Sequence, residues 1–316
     1  MVALPDFSSQ TLDAADRAYE QAQDRRWRSH LGMSQIGGPC DRALWYSFRW
    51  VQKPSFNALT LKRFEDGHRT EDLIVSRLKL VPGIELHEAD ERGEQFRFND
   101  FGGHFSGSCD GVALGLLEAP KAWHILEIKA SEKWTDLDKA RKKVGEKNAL
   151  AEWNATYYAQ AALYMHYAGL ERHYIVASSP GGRRWTAVRT NADPVHAETL
   201  RLRAERIIFT DEAPPKIGDE TYFQCRWCDF AALCHGAEPL AERTCRTCIN
   251  VTPERDGSWK CSKFGHELSK DDLIAGCGEH RYLPSLVPFE QIDAYEWGIV
   301  YRRPGGDEWV DKGRAL

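Results

Sequence analysis

No apolar run in this chain of 316 residues approaches the roughly 20 residues that a membrane-spanning helix needs. The stretch Met1-Val2-Ala3-Leu4-Pro5-Asp6 also lacks the charged and apolar regions of a secretion signal, so the expectation is a cytoplasmic protein with no membrane partner. Low-complexity tracts and internal repeats are missing, which excludes solenoids and disordered scaffolds. A basic excess is missing too: the formal charge is -5, which excludes a surface coated with cations. Carboxylates gathered around a metal can still conceal a local positive groove. Cysteine is scarce through the first two thirds, where only Cys40 and Cys109 occur.

The remaining third is different. Cys225, Cys228, Cys234, Cys245, Cys248, Cys261 and Cys277 crowd into it, and the contrast marks a boundary near Pro214-Pro215. In a chain without a secretion signal, cysteines at such density read as metal ligands rather than disulfides, because cytosolic thiols are kept reduced. A hydrophobic content of 42% supplies a core, and the length allows one large domain, or a main domain with a small appendage.

Periodicity predicts the elements. A polar helix over Thr11 to His30 ends in Arg25-Arg26-Trp27-Arg28, read as a solvated face. A short helix follows Pro39-Cys40 and carries Leu44, Trp45, Tyr46 and Phe48. A longer one over Leu59 to Leu80 places Leu61, Phe64, His68, Glu71, Val75 and Leu78 on one stripe. Strands are predicted over Ile84 to His87, Gln95 to Phe98, His104 to Leu114 and Trp123 to Lys129. After the charged stretch Lys139 to Lys147 come a helix over Leu150 to Ala168, strands around His173 to Ala177 and Arg184 to Arg189, and a helix from Pro194 to Phe209. Helix, strands, helix and strands again imply an α/β class with a central mixed sheet flanked by helices.

The chemistry-bearing residues sit on these elements. In Ala122-Trp123-His124-Ile125-Leu126-Glu127-Ile128-Lys129, the two-residue period of a strand puts Glu127 and Lys129 on one face, with Leu126 and Ile128 on the other. A carboxylate and an ammonium project side by side, which suits either a salt-bridged edge or a catalytic centre. Glu71, in the helical stripe, needs a partner if buried, and a metal would supply one; a Glu at the stripe's margin is the other reading. Gln160 and Tyr164 lie one helical turn apart and can face one groove; the competing reading puts Tyr164 in the core and Gln160 on the helix surface.

Gly67-x-x-x-Glu71 on a helix, Asp110-Gly111 at a strand, Glu127-x-Lys129 on the next strand and Gln160-x-x-x-Tyr164 on a following helix occur in this order. The set resembles the RecB-like branch of the PD-(D/E)XK nucleases over roughly residues 33 to 235. The resemblance implies a restriction-endonuclease-like core and a metal-dependent site. Two departures stand out: Cys109 precedes Asp110 where the family name has proline, and Glu71 stands where many members carry histidine. His68, one turn away, is the substitute or assistant expected there.

Hydrolysis of a phosphodiester needs a water activated near neutral pH and relief of the charge that builds in the transition state. The resemblance makes Glu71, Asp110, Glu127 and Lys129 the catalytic set. Asp110, Glu127, Glu71 or His68, and the Ile128 carbonyl would hold Mg²⁺ or Mn²⁺. Lys129 would orient the water or neutralise the phosphate. Gln160 and Tyr164 would hold the attacked DNA strand by hydrogen bonds and stacking.

Cys225-x-x-Cys228-x-x-x-x-x-Cys234 leaves a tetrahedral metal or cluster one ligand short, and Cys40 is the distant candidate. The bracket of one early and three late cysteines is similar to the iron–sulfur branch of the same superfamily, which includes AddB-type recombination nucleases and CRISPR-associated adaptation nucleases. It implies a structural [4Fe-4S] cluster, with zinc as the alternative. Cys245, Cys248, Cys261 and Cys277, with His280 nearby, read as a small zinc ribbon of low hydrophobic content, which the metal must hold together.

The expected layout is an N-terminal helix over 1–32, a nuclease domain over 33–236 and a metal-bound module over 241–316. The expected function is a metal-dependent deoxyribonuclease, an exonuclease on single strands or duplex ends, with recombination or adaptation proteins as partners. The alternative is a catalytically inactive nucleic-acid-binding module with structural metal sites.

Overall fold

The computed structural model describes residues 9–239 and 241–313. Its elements in chain order are α1 (Gln10–Gln21), β1 (Leu31–Gly32), α2 (Asp41–Phe48), α3 (Ala58–Leu78), β2 (Glu85–His87), β3 (Arg97–Asp100), β4 (Phe105–Ser108), β5 (Gly111–Leu114) and β6 (His124–Ala130). There follow α4 (Thr135–Val144), α5 (Glu146–Trp153), α6 (Ala155–Ala168), β7 (Arg172–Ser178), β8 (Trp185–Asn191), α7 (Pro194–Phe209) and α8 (Ala231–His235). The tail adds β9 (Val251–Pro253), β10 (Trp259–Cys261), β11 (His266–Glu267), α9 (Lys270–Ala275), β12 (Glu290–Tyr295), β13 (Gly298–Arg302) and β14 (Glu308–Asp311).

The central sheet runs β2-β5-β6-β7-β8, with β6 and β7 parallel and the other neighbours antiparallel. It is the mixed sheet that the element pattern implies, flanked by helices. On β6 the alternation holds: Leu126 and Ile128 pack with Ile74 and Val75 of α3, while Ile125 belongs to the core cluster that contains Ala161 of α6. Both faces are therefore covered, as parallel neighbours require.

One predicted strand is two. The stretch 104–114 breaks at Cys109-Asp110: β4 pairs with β1 and β3 in a small separate sheet, whereas β5 joins the central one. The helix expected over Leu150 to Ala168 is also two. Asn154 caps α6, its Oδ1 accepting from the amides of Thr156 at 2.9 Å and Tyr157 at 3.1 Å. The charged stretch before it is helical, as α4.

α1 ends at Gln21, short of the expected His30, and Arg25 to Arg28 lie beyond it. Trp27 does not decorate a solvated helix face; it stacks on Trp50 at 5.4 Å. The stripe expected on α3 is shifted as well. Thr70, Ile74 and Val75 are buried, while Phe64 and His68 are exposed. Only the second half of α3 reaches the sheet, since the first half meets α1 through pairs such as Lys62–Asp16 at 2.5 Å.

The tail carries apolar residues that pack with the rest of the chain. Trp259, Tyr282, Leu286 and Tyr301 are buried and belong to the same cluster as Phe48 and Trp50. Arg246 reaches into that cluster and donates to the carbonyls of Phe48 at 2.9 Å and Ser29 at 2.8 Å. Residues 31 and 32 form β1, so the core begins within the segment expected as an N-terminal helix. No helix among the described residues is long and apolar enough to cross a membrane.

Candidate active site

The break at Cys109-Asp110 sets the geometry. The β5–β6 ladder ends at Gly111 opposite Leu126. Beyond that end the amide of Ile128 finds its acceptor in Asp110 Oδ2, at 2.7 Å. In extended backbone a residue's N–H and C=O point to the same edge, so the Ile128 carbonyl faces the gap that Asp110 occupies. Had the strand continued unbroken, Asp110 would be a ladder residue with its carboxylate to one side of the sheet.

Glu127 is buried, with 3% of its surface exposed. Its Oε1 accepts from Lys129 Nζ and, at 2.9 Å, from Gln160 Nε2. Its Oε2 is buried with no hydrogen-bond partner. An orphaned carboxylate oxygen costs its full desolvation unless something electropositive meets it. Lys129 lies over the Tyr157 ring, 5.4 Å from the centroid, a positioning that sequence reasoning missed although Tyr157 shares the helical face of Gln160.

Charge crowding is visible in the proton affinities. Burial, followed by the Asp110 charge, pushes the Glu127 carboxyl up to about 7. Burial, together with Glu71 and against the pull of Lys129, pushes Asp110 up to about 6. Glu71 is raised by burial and then by Glu127. Burial acts against the Lys129 ammonium, but Glu127 and Asp110 outweigh it and hold its pKa above the ordinary value. Three carboxylates thus converge on one ammonium, leaving an excess of negative charge where two groups are poorly solvated.

Two expectations need correction. Gln160 and Tyr164 do not line an open groove: they are 4% and 1% exposed. The Gln160 amide donates to Glu127 and, at 3.0 Å, to Tyr164 Oη, so the pair holds Glu127 in place from behind. The small sheet closes over them; Phe98 packs on Tyr164 at 5.2 Å. His68 stands on the exposed flank of α3. Although it shares a helix face with Glu71, three residues on, its side chain is open to solvent while Glu71 is half-buried.

The cysteines gather as two sets. Cys40, the N-cap of α2, and Cys225, Cys228 and Cys234 line one pocket together with Tyr46 and Phe230. Burial raises the Cys225 thiol, followed by the charges of Cys234 and Cys40. In the tail, burial pushes Cys245 up to about 12, and the neighbouring Cys248, Cys277 and Cys261 push the same way. His280 has other partners: Thr247 Oγ1 at 3.0 Å and Arg243 at 3.2 Å. Cys109 is a buried residue at the end of β4, its thiol donating to the Gly111 carbonyl at 3.4 Å. Among the described residues no three His, Cys, Asp or Glu side chains already stand as a formed metal site.

No family model matches the sequence, and no curated protein does. Among solved structures, the chain is similar to an alkaline exonuclease from Laribacter hongkongensis, at 16% identity over 60% of this chain and 90% of that one, with a TM-score of 0.39. That enzyme in complex with dAMP is matched over 57% of this chain and 86% of that one, again at 16% and 0.39. A phage-related exonuclease from Haemophilus somnus is matched at 17% identity over 46% of this chain and 69% of that one, with a TM-score of 0.33. Identities and scores this low leave the chemistry to be argued from the side chains themselves.

Proposed function

We propose that the chain is a Mg²⁺- or Mn²⁺-dependent nuclease of the PD-(D/E)XK type, hydrolysing phosphodiester bonds in DNA. The observation that carries the reading is the buried, orphaned Oε2 of Glu127 in a cluster of three carboxylates and one lysine. A divalent cation relieves both the missing partner and the mutual repulsion. The residues that would hold it are Asp110, Glu127, the Ile128 carbonyl and, from α3, Glu71. Oxygen donors of this kind suit a hard cation. When bound, the ion supplies charge neutralisation and acidifies an attacking water.

The chain's own groups do the rest. Lys129, fixed between Glu127 and the face of Tyr157, presents an ammonium to a phosphate oxygen and stays protonated across the neutral range. Gln160 holds Oε1, which leaves Oε2 free for the cation. His68 is not included, because its side chain is exposed to solvent rather than drawn into the carboxylate cluster.

The pocket of Cys40, Cys225, Cys228 and Cys234 fits an iron–sulfur cluster: four thiols from the two ends of the core, in a setting otherwise largely apolar. Its role would be to staple α2 to the segment after α7. Cys245, Cys248, Cys261 and Cys277, four thiols of the tail, would hold zinc.

The test is cleavage of linear single- and double-stranded DNA with Mn²⁺ by the parent, Glu127→Ala and Lys129→Ala proteins. The parent cuts, Glu127→Ala does not, and Lys129→Ala loses on the order of 10²–10³ in rate, as for loss of a transition-state donor. Binding without cleavage by the parent would leave only a nucleic-acid-binding module.

A further inference from the structure

Outside the carboxylate cluster, three guanidinium groups converge on Ser29 to Leu31. Arg28 Nε donates to His30 Nε2 at 3.1 Å. Arg97, on β3, donates from Nε to Ser106 Oγ at 2.9 Å. Arg246 donates to the Ser29 carbonyl at 2.8 Å from behind. Ser106 is in register with Gly32 on one side and Asn99 on the other, which puts Arg97 and Ser106 on one face of the small sheet. The Arg28 guanidinium lies against Gly32, where an added Cβ would run into it.

None of the three arginines has a carboxylate within ion-pair distance among the described residues. Three cations that gather without a carboxylate in a chain of net charge -5 leave a local positive excess. Arg246 is 3% exposed and its Nε has no partner at all. It is satisfied only by carbonyls and by the faces of Trp50 at 3.7 Å and Trp259 at 4.4 Å. A buried cation without a counter-charge is costly, and an anion at the adjacent surface offsets that cost. Arg28 and Arg97 are exposed there. His30 is kept neutral, near 4, by burial and then by Arg28, Arg97 and Arg246, so it serves as an acceptor that aims Arg28.

The cluster adjoins the carboxylate site. Arg97 is in register with Ser108, two residues before Asp110. On the other face of the same small sheet, the Tyr164 ring lies against Gly107.

We propose that Arg28 and Arg97, aimed by His30 and Ser106 and backed by Arg246, form a phosphate subsite that grips the backbone of a nucleic-acid strand beside the carboxylate cluster. The anion site rests on the charges alone; its assignment to a polynucleotide rests on the nuclease reading. Arginine suits it, because its planar fork meets phosphate oxygens in pairs.

The test uses the full chain carrying Asp110→Asn, so that the strand is not cut, and reads binding of a labelled single-stranded oligodeoxynucleotide by anisotropy against salt. Adding Arg28→Ala and Arg97→Ala lowers affinity roughly tenfold and flattens the slope of log K against log salt by about 1.4, two contacts at about 0.7 each. Arg97→Lys keeps most of the slope. Mn²⁺ binding by a chain carrying only the two alanines matches the parent, which separates a lost subsite from a lost fold. An unchanged slope, or a parent that binds no oligonucleotide, overturns the proposal. So does inorganic phosphate saturating the arginines while the oligonucleotide binds without them. A parent that loses oligonucleotide binding with the arginines but cuts no DNA under Mn²⁺ leaves the subsite standing and removes the nuclease.

Discussion

Asp110 is held in a conflict that the fold does not resolve internally. Its Oδ2 accepts the Ile128 amide at 2.7 Å, yet burial and Glu71 push its carboxyl up to about 6. A carboxyl raised in the folded state stabilises the fold below its unfolded pKa, near 4, and that contribution is lost as pH rises through about 6 and, for Glu127, about 7. The metal-free protein is therefore expected to lose stability between pH 4 and pH 7. Asp110→Asn keeps an acceptor for the amide and removes the charge, so in EDTA at pH 8 it should be more stable than the parent, on the order of 1–3 kcal/mol. At pH 4 the two should match. Mn²⁺ should then raise the melting temperature of the parent at pH 8 and not that of the variant. Thermal unfolding across this range checks it, and a gain independent of pH would show that the charge is not the cause.

The elements that build the site were legible to different degrees, and the reasons are local. The alternation on β6 and the burial of Leu44, Trp45, Tyr46 and Phe48 on α2 follow from side-chain period alone. The break at Cys109-Asp110 does not, because polarity alternates through it and only tertiary pairing tells that β4 and β5 join different sheets. Tyr164 was read as a groove residue for the same reason. Nothing in a helix shows that a second sheet will cover it. The cover depends on Gly107: an added Cβ would lie 2.7 Å from the Tyr164 ring and 2.9 Å from Met33 Cβ. Gly107→Ala should therefore displace α6 from β4, costing about 1–3 kcal/mol by overpacking. It should also slow cleavage by loosening Gln160 on Glu127, while leaving the oligonucleotide salt slope in place. Full activity in this variant would mean that the Tyr164–Gln160 pair is not what fixes Glu127.

At the scale of the molecule, the tail is where burial adds most to the pattern of cysteines. Cysteine density suggested a module held by its metal, but the aromatic residues that tie it down are scattered. Phe48 and Trp50 are far from Trp259 in sequence and meet it around Arg246. Arg49, fully buried, makes the reciprocal contact, donating to the Val251 carbonyl at 3.2 Å and to Asp211 at 2.8 Å. Arg246 sits between Cys245 and Cys248, so the knuckle that would hold zinc also aims the side chain that enters the core. Two independent modules would unfold in two steps; a shared core predicts one. Far-ultraviolet circular dichroism and tryptophan fluorescence should give coincident thermal transitions, with Trp45 and Trp259 reporting from the two halves. If the tail cysteines hold zinc as proposed, stripping it should lower that single transition rather than split it, because Arg246 loses its aim and the faces of Trp50 and Phe48 lose their cover. A chain ending at Gly236 should accordingly expose that apolar surface and bind hydrophobic dye. If it instead unfolded cooperatively with the parent's midpoint, the core would be complete without the tail, and the modular reading would return.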